Sequence, residues 1–146
     1  MSGTKRFTQV DSSTGEAVDG FVAVIKPKVK SSFERHFTMN QAALLSIAQT
    51  LNHDQTRVLL ALFAYLDYEN FIQVPQIEIA EQLNMHKQHV NRAVKALIAN
   101  EIILDGPKIG RSKSYRLNPN YGWKGSVSNH KKVLKHGFSV IDGGKS

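Results

Sequence analysis

Apolar residues recur at helical spacing through residues 38–100 of this chain and alternate at strand spacing on either side. Thr38 and Gln41 stand at capping-box spacing, and Leu44, Leu45, Ile47, Ala48 and Leu51 form one apolar stripe behind them. A helix is therefore expected to open at Thr38. Asn52 and Gln55 repeat the cap pattern, and the residues after them predict a second helix over 53–69. Val58, Leu59, Leu62, Phe63 and Leu66 line one side of it, while Leu60, Ala61, Ala64 and Tyr65 make most of its circumference apolar. Such a helix is buried on two sides, either centrally in the domain or in a dimer interface. Asn70 tolerates the left-handed conformation that ends a helix.

From Ile72 to Leu97 the pattern is a short strand, a helix, a tight turn and another helix. Pro75 suits a first helical turn, where its missing N–H costs nothing. Ile77, Ile79, Ala80 and Leu83 follow, and Asn84 breaks the period with a side chain tolerant of positive φ. The next helix is expected from His86 or Lys87 to Asn100. Residues 76–95 fit a helix-turn-helix: Ala80 sits where the helices approach closely, Asn84 at the turn, and Ile79, Leu83, Met85, Val90 and Ala93 inside. Val94 and Leu97 continue the inner face. The same period turns Lys87, Gln88, Asn91, Arg92 and Lys95 outward, with His86 at the start. All six can donate hydrogen bonds and none is acidic. Gln and Asn pair with adenine and Arg with guanine in a major groove wide enough for a helix. His86, Lys87, Gln88, Asn91 and Arg92 are the candidate base readers, and Lys95 is the candidate phosphate contact. The competing reading is an ordinary solvated face rich in Lys and Gln.

Residues 101–117 read as strand, basic loop and strand, the wing of a winged helix. The loop carries Lys108, Arg111 and Lys113 with no acid after Asp105, and Gly106 and Gly110 permit tight turning. These cations suit phosphates or a minor groove, although a solubilising loop would also be basic. At the other end of the chain, residues 5–25 suggest a β-hairpin: a strand near 5–11, a turn over 12–20 and a strand at Phe21–Ile25. The expected fold class is α+β, mainly helical: a winged helix-turn-helix with an N-terminal β-hairpin and a C-terminal extension. Three regions follow: hairpin and linker (1–30), winged-helix domain (36–119) and a loosely packed, partly flexible extension (120–146). Within the extension, Tyr121 and Trp123 read as anchors, and Lys124, Lys131, Lys132 and Lys135 as phosphate contacts or as a solvated tail.

Net charge of +7 adds weight to a nucleic-acid partner, but an anionic membrane surface or simple solubility could explain it as well. The absence of cysteine excludes disulfides, thiol catalysis and cysteine-ligated zinc, and fits a reducing cytoplasm. Apolar runs are too short to span a bilayer, and no apolar segment follows the basic start as in a signal peptide. His86 and His89 could share a helix face, but no nearby carboxylate completes a metal site. No phosphate-binding glycine loop, catalytic carboxylate pair or nucleophile elbow is visible. Neither enzymatic activity, a metal nor a cofactor is expected.

The run Tyr115, Asn118, Pro119, Trp123, Lys124 and Gly125 resembles the Y-x-x-N-P-x-x-x-W-K-G ending of RepL-type plasmid replication proteins. In that family it also follows a winged helix-turn-helix, and residues 14–25 with the two helices after them look like the rest of that architecture. The resemblance implies double-stranded DNA as partner, a homodimer on repeated or palindromic half-sites at a plasmid origin or an operator, and host replication proteins as further partners. Initiation of replication is the reading it implies; a transcriptional repressor is the alternative with the same contacts. A winged helix that meets a partner protein is the alternative of another class.

Overall fold

The computed structural model describes residues 9–10, 17–18, 33–110 and 113–142. The chain divides into two units, residues 1–34 and 35–146. In the first, β1 (Gln9–Val10) pairs antiparallel with β2 (Ala17–Val18), Gln9 opposite Val18 and Val10 opposite Ala17. A hairpin is thus present, but its second strand uses residues that the sequence pattern assigns to the turn. The expected strand at Phe21–Ile25 lies outside the described residues.

The second unit opens with β3 (Thr38–Met39) and α1 (Gln41–Thr50). The expected cap at Thr38 is displaced by two residues. Thr38 is held in a strand, where its hydroxyl donates to the Trp123 carbonyl at 3.1 Å, and Asn40 caps the helix by accepting from the Ala42 amide. The partner strand β7 (Gly122–Trp123) is 83 or more residues away in sequence, which is why local spacing misses it. α2 (His53–Ala64) has the expected Asn52/Gln55 capping box, with both reciprocal bonds formed. It stops five residues early. Glu69 and Asn70 both adopt positive φ in a 3-10 turn over Tyr68–Asn70, and this redirects the chain into β4 (Phe71–Ile72).

α3 (Gln76–Leu83) and α4 (Lys87–Ala99) form the helix-turn-helix. Asn84 takes the left-handed conformation at φ 53°, and the Met85 amide bonds back to the Ala80 carbonyl at 2.9 Å. That bond satisfies a carbonyl left free at the helix end and fixes the turn. α2 packs on both helices, so much of its apolar breadth is used inside the protomer: Val58, Leu59 and Leu62 are buried, Ala61 and Phe63 partly so, and Leu60 and Ala64 stay exposed. Ile79, Ala80, Val90, Ala93, Val94 and Leu97 complete this core. α4 leads into β5 (Ile103–Asp105), and β6 (Tyr115–Leu117) returns between β4 and β5 in an antiparallel sheet of order β4-β6-β5. The molecule is a winged helix-turn-helix, mainly helical with small antiparallel sheets.

The C-terminal residues depart from the loose extension expected for them. After β7 comes α5 (Val127–His136), capped by Ser126, and then a 3-10 turn over Phe138–Val140. Trp123 is buried, donates its ring N–H to the Ser126 carbonyl at 2.9 Å and stacks on His130 at 4.8 Å. Arg116 of β6 reaches Asp142 at 2.5 Å, with its guanidinium over the Phe138 ring. The polar composition hid this packing because single side chains carry it, Trp123 and Phe138 with Val133 the buried residue of α5, and not an apolar stripe.

Candidate nucleic-acid interface

The proposed reading residues all lie at the surface. His86, Lys87, Gln88, Asn91, Arg92 and Lys95 are exposed, on a helix whose opposite face buries Val90, Ala93, Val94 and Leu97. His86 precedes the first turn and its ring meets that of His89 edge-on at 5.5 Å. Positions three and four apart share a helix face, so burying 90, 93, 94 and 97 forces 88, 91, 92 and 95 outward.

These residues do not form one uniform surface. Lys87, Gln88 and Asn91 line a cleft of about 730 Å³ together with Lys113 of the wing. Arg92, one turn on from Gln88, does not line that cleft but borders a smaller hollow of about 170 Å³ with His89, Asn52, Asp54 and Gln55. The acid-free face of α4 therefore acquires an acid from α2, which sequence spacing could not reveal. Lys108 is exposed on the outgoing side of the wing, and Arg111 lies outside the described residues.

Six cleft residues were not anticipated as part of the site: Gln73, Val74, Pro75, Gln76, Ile77 and Tyr115. Gln76 donates to the Tyr115 hydroxyl at 3.2 Å, tying the first turn of α3 to the wing strand. Ile77 is 50% exposed and lines the cleft. The wing is closed at its base by backbone and side chain together. The Gly106 amide donates to the Ser114 carbonyl at 2.9 Å, and the Ser114 hydroxyl donates to the Pro107 carbonyl. A side chain at Gly106 would meet Ser114 Oγ at 2.6 Å, so this glycine serves close approach, whereas Gly110 serves a positive φ of 61°.

The residues of the RepL-like ending hold the fold together. Asn118 donates to the Glu101 carbonyl at 2.7 Å, and Lys124 donates from its backbone to Asn70 Oδ1 at 2.8 Å and from Nζ to the Leu66 carbonyl at 3.2 Å. Asn70 is fully buried and also donates to the carbonyls of Leu117 and Gly122 at 2.9 and 2.8 Å. Tyr121 and Trp123 act as anchors, as their type suggested.

Among the described residues no cluster of three His, Cys, Asp or Glu side chains could hold a metal ion, and no helix is long and apolar enough to cross a membrane. No protein-family model and no curated protein matches the chain. Among solved structures the chain is similar to the adhesin competence repressor AdcR from Streptococcus pyogenes, at 18% identity and a TM-score of 0.38 over 69% of this chain and 72% of that one. It is also similar to the antimony-specific transcriptional repressor AntR, at 17% identity and a TM-score of 0.37 over 82% and 97%. Likenesses this remote leave the site to be read from its own residues.

Proposed function

We propose that this protein binds double-stranded DNA in a sequence-specific manner, with the start of α4 in the major groove and the wing against the adjoining backbone. One observation carries this reading: Lys87, Gln88 and Asn91 of α4 and Lys113 of the wing line a single open cleft. Amide side chains next to cations are what a surface needs to read base edges while holding phosphates. Gln88 and Asn91 are the base readers, with His86, Lys87 and Arg92 beside them. Lys95, Lys108, Arg111 and Lys113 serve the backbone.

The mechanism is non-covalent docking. Docking alone suffices for a transcriptional repressor, which needs only to occlude its site; an initiator needs a further surface for the host replication proteins. Repression is thus the simpler use of this interface. Replication initiation is the second reading, favoured by the Asn118–Pro119 and Trp123–Lys124–Gly125 signature. Footprinting on the DNA flanking the gene tests binding: a protected site lost in Gln88→Ala and Asn91→Ala, with the fold intact, supports it. Equal affinity for all duplexes of the same length would overturn sequence specificity. Loss of the replicon on deleting the gene would select the initiator; a rise in transcription from the protected site would select the repressor.

A further inference from the structure

We infer, on the DNA reading proposed above, that the cleft between α3, α4 and the wing is built for A·T pairs, with Ile77 taking the thymine 5-methyl group while Gln88 and Asn91 hold adenine. An apolar side chain stands here where cations and amides would suffice to bind DNA. α3 buries Ile79 and Ala80 against the core, and Ile77, two residues earlier, is left 50% exposed. Single exposed apolar residues are ordinary on a protein surface. What separates Ile77 from Leu60 of α2 or Val127 of α5 is its company, since it lines the same cleft as Lys87, Gln88, Asn91 and Lys113.

The local chain holds Ile77 at a fixed place in that wall. Pro75 stands before the first turn at φ −64°, and its carbonyl accepts from the Glu78 amide at 3.1 Å. Gln76 bonds to the Tyr115 hydroxyl, which fixes the start of α3 to the wing strand. Isoleucine is branched at Cβ and has few rotamers in a helix, so it loses little entropy when a ligand packs on it. Pro75 is exposed in the same cleft and widens the apolar wall. Among the described residues that line the cleft none is acidic; Glu78, next along α3, does not line it.

Groove chemistry selects the ligand. In the major groove adenine offers an acceptor and a donor that match the two ends of an amide side chain, and its partner thymine presents a methyl group. A G·C pair has no methyl group there, and guanine shows two acceptors, which suit a cation better than an amide. Gln88 and Asn91 lie three apart on one helix face. Arg92, the α4 side chain best suited to guanine, borders the other hollow. Two amides and an exposed isoleucine in one cleft therefore match both halves of an A·T pair. Lys87 and Lys113 remain for the phosphates, which every sequence offers alike.

The test uses the full chain and the duplex protected in footprinting. Each thymine in the protected site is replaced in turn by deoxyuridine, which lacks the 5-methyl group and pairs with adenine in the same way. Burying one methyl-sized group corresponds to about a four-fold change in affinity. One thymine position, or two neighbouring ones, should therefore lose about three- to five-fold on conversion to deoxyuridine. Ile77→Ala should lose about as much on the thymine duplex, and should bind the thymine and deoxyuridine duplexes alike at that position. Leu60→Ala, which alters a side chain 60% exposed on α2, should keep the wild-type preference. A merely structural role for Ile77 would lower affinity for both duplexes and keep their ratio, and that result would overturn the assignment. A site that loses protection in Gln88→Ala and Asn91→Ala but tolerates deoxyuridine at every position would also overturn it, while leaving the DNA reading in place. No protected site at all would remove both.

Discussion

Replacing Asn70 with alanine removes three hydrogen bonds in one step and leaves two carbonyls and an amide of the chain without that partner. It also removes a residue tolerant of φ 61°. Each buried polar group left unpaired costs about 1–3 kcal/mol, so a total loss of roughly 3–5 kcal/mol is expected by urea denaturation. Asn70→Asp should be no better, because it keeps the acceptor for Lys124 but points a carboxylate at two carbonyls. A loss under about 1 kcal/mol would mean that water replaces the side chain. Gly106→Ala has a different signature. The added methyl would lie 2.6 Å from Ser114 Oγ and 3.1 Å from the Tyr115 amide nitrogen. Either Ser114 turns its hydroxyl away from Pro107 or the base of the wing opens beside the buried Tyr115, so DNA affinity should fall several-fold at a cost in stability of about 1–3 kcal/mol. Equal affinity by electrophoretic shift would place the wing outside the interface.

The division of labour between α4 and the wing predicts two kinds of loss. Gln88→Ala or Asn91→Ala should cost about 1–3 kcal/mol on the preferred site and almost nothing on random duplex. Lys113→Ala should weaken both alike and lower the salt slope by about one unit. Competition assays with specific and random duplex separate the patterns, and identical behaviour of all three variants would refute the assignment of roles. At this scale the sequence is a good guide wherever the information is local. The period of α4, the Asn84 turn and the Asn52/Gln55 box depend on residues within one or two turns, and the structure places them as the spacing predicts. Thr38 shows the opposite case: it has the spacing of a cap but is taken by a strand partner at Trp123. α2 was legible as apolar all round, but whether its second side met the protomer or a second copy depended on α3 and α4 folding back on it. The site divides in the same way. The outward face of α4 and the cations of the wing were visible, whereas Asp54, Gln73 and Ile77 enter it only through tertiary packing.

Over the whole molecule, the question is whether position or sum of charge governs DNA binding. About five cations of one protomer face the proposed duplex, so the logarithm of affinity should fall with that of salt at a slope of about −4 to −5. That is a loss of several hundred-fold between roughly 50 and 200 mM. Two triple variants remove the same three charges from the net +7. Lys87, Lys108 and Lys113 changed to Gln take them from the cleft and the wing. Lys131, Lys132 and Lys135 changed to Gln take them from α5, which is tied to the far end of the sheet through His130 at Pro119 and Asn129 at Glu69. If phosphates are contacted directly, the first variant loses nearly three units of slope, because only neutralised phosphates release counterions. The second keeps its slope and loses only some association rate, since steering depends on the summed field and a counterion depends on contact. Equal slopes for the two variants would mean that DNA attraction is diffuse, and the cleft would then have no claim to be the interface.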